Sequence, residues 1–164
     1  MDAFNASDVD DFSERWAPYA VAALRIVTAL LFLEHGTSKI LDWPHTSRSG
    51  PPMWTIFWVA GMIELVGGLL LLAGLFTRWT SFILAGEMAI AYFMIHAPVS
   101  FFPMVNRGEA AVLYCFVFLL FVATGAGRWS IDALIARNRS DVAGYAAPGG
   151  ERRYNPEDFG DKTV

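Results

Sequence analysis

Four long apolar runs dominate this sequence, and they leave few ways for the chain to fold. The runs cover residues 18–41, 53–75, 79–97 and 108–127, so each is about 19 to 24 residues long. A helix of that length crosses ~30 Å of hydrocarbon at ~1.5 Å per residue. A backbone inside lipid must satisfy its hydrogen bonds internally, which favours helices. The predicted fold class is therefore all-α, an integral membrane four-helix bundle over residues 18–130.

The composition agrees with a membrane protein and argues against two other classes. Hydrophobic residues make up 55% and charged residues 17% of the 164-residue chain, and the mean hydropathy is +0.40. These values are too apolar for a soluble domain of this length. The net charge is −4 and no basic block is present, so nucleic acid is not an expected partner. The expected partner is the lipid bilayer.

The segments outside the runs predict the orientation of the chain. Residues 1–17 form an acidic tail, and residues 131–164 read as a short amphipathic helix followed by a polar tail. Four crossings place both termini on one side, and basic residues near span ends favour the cytoplasmic side. The terminal side carries five such residues and the other, outer side three: Arg15, Arg78, Arg128, Arg137 and Arg139 against Lys39, Arg48 and Arg107. We therefore expect both termini in the cytoplasm.

Ionisable side chains interrupt the apolar runs and mark the candidate site. Such groups are rare in hydrocarbon and usually face a partner or a cavity. At 100° per residue, one face of the first run carries most of its polar side chains, while Glu34 points roughly the opposite way. Counted from the span ends, His35 lies ~9 Å below the outer surface and the two mid-span glutamates ~15–17 Å below it. The candidate ligand-binding residues are Arg25, His35, Lys39, Glu64, Glu87, His96 and Glu109.

Of these residues, Arg25, His35, Glu64 and Glu87 are expected to face the interior of the bundle. Each candidate also has a structural interpretation. Arg25 can form a buried ion pair with one of the glutamates and fix the helix register. His35 can hydrogen-bond a carboxylate or a carbonyl.

The remaining candidates also have structural interpretations. Lys39 and Glu109 can anchor span ends at the interface. His96 can end its helix. Two histidines on separate helices lack a local ligand spacing, so no metal site is predicted.

Several motifs occur in an order that resembles the DoxX family of small four-span membrane proteins. The resemblance covers about residues 20–135, and its pieces are Arg25, FLEHG at 32–36, Lys39, GMIELVGGLLLLAG at 61–74, LFTR at 75–78, Ala91, His96, NRGEA at 106–110 and GAGRWSID at 125–132. It implies a helical bundle in a prokaryotic cytoplasmic membrane. Family members are linked to thiosulfate:quinone oxidoreductase, to quinone or thiol stress and to membrane oxidoreductase complexes. Glu34 is not part of the family pattern.

The function hypotheses follow from the buried polar groups and the resemblance. The first is a redox-associated subunit with an intramembrane site for a quinone or another small amphiphile. His35 would accept a proton, Glu64 and Glu87 would relay it, and Arg25 or Lys39 would stabilise the anionic form. Because the chain has no flavin, haem-attachment or iron–sulfur motif, a soluble oxidoreductase partner would carry the electrons, and haem is not an expected cofactor.

Two alternatives stay open. The protein could be a small-solute transporter, for which a homo-oligomer is expected, or a non-catalytic scaffold for a partner oxidoreductase. The sequence does not decide whether the protein is an enzyme.

The topology is testable with single cysteines in a Cys115→Ser background. We expect an impermeant thiol reagent to label a cysteine at Ser49 in intact cells and to leave one at Ser140 unlabelled, because the first lies in an outer loop and the second in the cytoplasm. Mass shift of the extracted protein reports the labelling. Labelling at position 140 and not at 49 would reverse the predicted orientation.

Overall fold

The computed structural model describes residues 6–146, with side-chain environments for residues 11–139. Within this part of the chain every regular element is a helix, so the all-α prediction is confirmed. The helices are α1 (Ala6–Leu41), α2 (Ile56–Ala73), α3 (Thr77–Ala91) with a π-helical turn at Tyr92–His96, α4 (Pro103–Asn106), α5 (Glu109–Thr124) and α6 (Ile131–Ala146).

The ends of the chain differ in part from the sequence prediction. α1 begins at Ala6, so residues 6–17 of the predicted acidic tail continue the first helix. The amphipathic helix begins at Ile131 and runs to Ala146, and most of the predicted polar tail after it lies outside the described residues. The chain divides after Ala133 into two compact units, of which the first contains α1 to α5.

Two of the helices in the described part of the chain are long and apolar enough to cross a membrane. They are the segment Asp11–Leu41 of α1, with a mean hydropathy of 1.7, and α2, with 2.2. α5 is apolar but has 16 residues. α3 has 15 residues, and the π-helical turn extends it by five. The four-span count therefore stays a prediction.

The four longer helices of the first unit pack in a ring around an apolar core. α1 packs along α2, α2 against α3, α3 along α5, and α5 against α1. Phe32 of α1 meets Phe118 of α5 edge-on, with ring centroids 5.0 Å apart. Large apolar side chains are also exposed on the outside of all four helices, as expected where lipid is the solvent.

Glycines set the register between α1 and α2. A Cβ added at Gly36 would lie 2.5 Å from the backbone nitrogen of Leu65, and one at Gly61 would lie 2.8 Å from Cβ of Lys39. Such contacts let two backbones approach closely. Gly36 is therefore level with Glu64 and Leu65, and the prediction that Glu64 lies well below His35 is wrong. The difference arises because α2 begins at Ile56 rather than at residue 53, which raises Glu64 towards the outer end.

Arg25 joins α2 to the segment after α5 at the opposite, inner end. Its guanidinium is fully buried and donates to the carbonyls of Leu72 at 2.7 Å, Trp129 at 2.8 Å, Ala126 at 2.9 Å and also Leu71. Carbonyls in the last turn of a helix lack intrahelical donors and carry the negative end of its dipole. The structural interpretation in which Arg25 pairs with a glutamate is therefore wrong, because the end of α2 supplies acceptors at the depth of Arg25.

The same end holds two further caps. The Asp132 carboxylate accepts from the backbone nitrogens of Phe76 and Thr77, both at 2.9 Å, and caps the start of α3. The Arg78 guanidinium donates to the Ala123 carbonyl at 2.8 Å, in the last turn of α5. We call Arg25, Arg78 and Asp132 the capping network. It connects three helix ends through side chains that the family motifs contain.

We expect Arg25→Met to lower the free energy of unfolding by about 3 kcal/mol or more, because buried carbonyls then lose their donors. Arg78→Met is the matched control: this side chain caps a helix but is exposed, so a loss below about 1 kcal/mol is expected. Chemical unfolding in detergent measures both. Equal losses of unfolding free energy in the two variants would contradict the prediction that the buried Arg25 contributes more to stability than the exposed Arg78.

We expect Gly36→Ala to destabilise the protein by about 1–3 kcal/mol, because the new Cβ meets the backbone of α2 and cannot be relieved by a side-chain rotation. Gly86→Ala is the control, since a Cβ there has nothing within 4 Å. It should leave stability unchanged or raise it by up to about 1 kcal/mol. The same unfolding assay compares them, and an unaffected Gly36→Ala protein would refute the proposed close contact.

Candidate functional site

A buried ion pair connects α1 and α2 near their outer ends. The Lys39 ammonium lies 2.6 Å from Oε1 of Glu64, and the two side chains are 17% and 5% exposed. The pair forms because the Cα of Gly61 lies against the base of the Lys39 side chain and leaves the ammonium free to reach one turn along α2. Lys39 therefore turns inward to a carboxylate, and Arg25 does not.

A second carboxylate from α3 lies close to this pair. Both oxygens of Glu87 are buried without a hydrogen-bond partner among the described residues, and so is Oε2 of Glu64. Glu87 interacts electrostatically with Glu64 and Lys39. Buried acceptors nearly always have a donor, so three such atoms in one place are unusual. We call Lys39, Glu64 and Glu87 the carboxylate cluster.

The charges of the carboxylate cluster do not balance. Two carboxylates face one ammonium, so the fully ionised cluster carries one excess negative charge. The next residue along α3, Met88, is part of the apolar core, and no donor among the described residues bonds the Glu87 carboxylate. An uncompensated charge in an apolar interior costs several kcal/mol. Binding a proton, or a ligand that donates hydrogen bonds, would therefore lower the free energy of the fully ionised cluster.

His35 lies at the edge of the bundle, so the prediction that it faces the interior is wrong. Its side chain is exposed, and its ring stands edge-on to Tyr114 of α5, with centroids 6.2 Å apart. The reason is the contact at Gly36. Because Gly36 faces α2 and successive residues of a helix point about 100° apart, His35 faces α5 instead. The other three side chains expected inside do have buried charged groups: Arg25, Glu64 and Glu87.

Among the described residues, His96 and Glu109 make no hydrogen bond or ion pair with the carboxylate cluster and interact with other groups. Nδ1 of His96 is 3.0 Å from the carbonyl of Asn106, and its ring stacks on Tyr92. Asn106 is itself buried and bonds the carbonyl of Ser100 at 2.7 Å, so His96 fixes the loop before α5. Glu109 is exposed in the first turn of α5, where a negative charge is favourable.

Sequence reasoning missed several polar residues of the bundle. Ser38 is buried and its hydroxyl lies 3.0 Å from those of Thr46 and Ser49, which ties the outer loop to α1. Thr77 and Ser81 are fully buried, with hydroxyls that have no partner among the described residues. Their spacing of four residues, from the turn before the third apolar run into that run, was the available signal, because it places both on one helical face.

The outer loop also carries an exposed acid–base pair. Nδ1 of His45 lies 2.6 Å from Oδ1 of Asp42, and this hydrogen bond holds the pKa of the Asp42 carboxyl below its usual range. Within the described residues, no three metal-ligating side chains of the His, Cys, Asp and Glu types converge.

Comparisons with known proteins identify relatives. The family model for DoxX matches residues 20–97, a range that contains the whole carboxylate cluster. An uncharacterized protein of Haemophilus influenzae is 48% identical over 124 residues, which are 73% of this chain and 92% of that protein. The inner membrane protein YqjF of Escherichia coli is 30% identical, over 70% of this chain and 91% of its own length.

A third relative is the uncharacterized membrane protein Rv3486 of Mycobacterium tuberculosis, which is 29% identical over 73% of this chain and 83% of its own length. No solved structure matches the chain significantly. The family match, the extent of these relatives and the helical fold agree with one another. The chain belongs to the DoxX family of membrane proteins.

Proposed function

We propose that this protein is a redox-associated membrane subunit that binds a quinol, or another small amphiphile with ionisable hydroxyls, at the carboxylate cluster. The observation that carries the proposal is the set of three buried carboxylate oxygens, two on Glu87 and one on Glu64, that have no donor among the described residues. A hydroxylated head group would supply the donors. Its apolar tail would lie against the exposed apolar surfaces of the helices.

The chemistry of such a site is proton acceptance. Oxidation of a hydroquinone to a quinone breaks two O–H bonds and releases two protons and two electrons. In this proposal Glu87 and Glu64 take the protons, and Lys39 stabilises the phenolate that remains after the first transfer. The electrons pass to an acceptor on a partner oxidoreductase, since no residue of the carboxylate cluster is itself redox-active.

The other candidate residues take different parts in this proposal. His35 stays a candidate proton acceptor, because it is level with Glu64 and open to the side of the bundle. Arg25 binds carbonyls at the inner end and acts on the fold. His96 positions the outer loop, and Glu109 marks the start of α5 beside it. Neither is assigned a direct contact with the amphiphile.

The proposal places the protein in a prokaryotic inner membrane, with four spans and both termini in the cytoplasm. One relative is named an inner membrane protein, which supports the compartment. Tryptophans near both ends of the helices, such as Trp16 and Trp43, are exposed, as in an aromatic belt. The basic residues near the span ends support the orientation.

We expect Glu87→Leu to raise stability and to abolish ligand retention. Leucine removes a buried carboxylate that lacks donors, which should add about 1–3 kcal/mol to the free energy of unfolding. It also removes two of the three acceptors, so bound quinone per protein should fall at least about ten-fold. Protein purified from native membranes is extracted with solvent for quinone content and unfolded in detergent for stability.

Glu14→Leu is the matched control, because it makes the same substitution at an exposed position of α1 and should change neither quantity. A scaffold role predicts the opposite stability effect: the carboxylate cluster would hold the helices together, and Glu87→Leu would destabilise them. A folded wild-type protein that retains no quinone or other extractable amphiphile would refute the proposed function.

A further inference from the structure

Glu34 is a carboxylate on the outward-facing side of α1. It is exposed, and it shares this side with Val27, Leu30 and Leu31, which are 55%, 50% and 49% exposed. Among the described residues no hydrogen bond or ion pair involves its carboxylate. The phenol of Tyr114 on α5 interacts with it electrostatically but does not hydrogen-bond to it.

The depth of Glu34 makes this exposure costly. It lies seven residues before the end of α1 at Leu41, which is ~10 Å below the outer end of the helix, and within the apolar segment Asp11–Leu41. A carboxylate facing acyl chains costs at least a few kcal/mol, so such groups face protein or water instead. Something other than lipid must therefore cover this side of α1.

We propose that a second copy of this chain covers it, with each Glu34 carboxylate accepting a hydrogen bond from His35 of the partner subunit. Two copies in one membrane share their orientation, so a two-fold axis runs along the membrane normal and residues meet others at their own depth. Glu34 and His35 differ in depth by only ~1.5 Å. Both are exposed, and one supplies the acceptor and the other the donor.

The surrounding side chains favour this occupant over a foreign helix. A foreign partner would need its own donor at the same depth, whereas this chain brings one in His35. In a symmetric pair, Leu30 and Leu31 of both copies flank the two Glu34–His35 hydrogen bonds and shield them from lipid. The proposal does not rest on the carboxylate cluster, whose carboxylates come from α2 and α3.

Cysteine cross-linking in native membranes tests the interface. In a Cys115→Ser background, which keeps both Glu34 and His35, oxidation of Leu31→Cys should give a covalent dimer of twice the chain mass. Leu69→Cys is the matched control. Leu31 and Leu69 are 49% and 54% exposed and lie five and four residues inward of the level contact between Gly36 and Leu65, so depth and exposure are similar but the helix is different. The control should give at least ten-fold less dimer.

A charge exchange tests the pairing itself. Glu34→Leu should lower the dimer fraction in nanodiscs at least ten-fold, and the double variant Glu34→His with His35→Glu should restore it, because each copy again offers one donor and one acceptor. Unfolding in detergent confirms that each variant is folded. Absent or equal cross-linking at positions 31 and 69, an adduct of another mass, or a dimer unchanged by Glu34→Leu would each overturn the proposal. Quinone retention is measured separately and leaves this result unaffected.

Discussion

The burial of Arg25 among backbone carbonyls is the interaction on which the arrangement of charges in this bundle depends. A guanidinium can be kept inside a protein if every N–H is directed at an acceptor. Here the acceptors are the last carbonyls of α2 and two carbonyls of the segment after α5. Because helix ends and the nearby Asp132 carboxylate, rather than the glutamates, neutralise Arg25, neither glutamate is drawn towards the inner end. Lys39 is then the one cation that pairs with Glu64 and Glu87 in the described part of the chain.

The two ends of the bundle consequently differ in how well their polar groups are satisfied. At the inner end, Arg25, Arg78 and Asp132 each bond backbone groups that the helices leave open, so the capping network stabilises the fold. At the outer end, three acceptors of the carboxylate cluster have no donor within residues 6–146, the part that the structure describes. Unsatisfied buried groups lower stability and persist where function requires them. The motifs LFTR and GAGRWSID belong to the inner end and serve the fold, whereas the proposed chemistry uses Lys39, Glu64 of the motif GMIELVGGLLLLAG, and Glu87, which lies outside the motifs.

The sequence predicted what depends on one helix at a time. Long apolar runs predicted the helices, and the desolvation cost of Arg25 and Glu64 predicted that both are buried. It failed where two helices had to be placed relative to each other. The depth of Glu64 was wrong because it was counted from a span end three residues too early, and the partner of Arg25 was wrong because open carbonyls are not visible as residue types. His35 was misplaced because its direction depends on which residue of α1 meets α2.

The contact at Gly36, which sets the direction of His35, also connects the two proposed sites, the carboxylate cluster and the Glu34–His35 interface. Glu34, His35 and Gly36 are consecutive, so they point in three directions about 100° apart. Once Gly36 packs against Leu65, its neighbours must lie on the open sides of α1, and Lys39, one turn further along, falls beside Glu64. One glycine contact thus directs Lys39 towards Glu64 on the side of α1 that faces α2. It leaves Glu34 and His35 on exposed sides of α1, at nearly the same depth. A change that rotates α1 must therefore alter both sites together, whereas a change confined to Glu34 or to Glu87 can alter one of them alone.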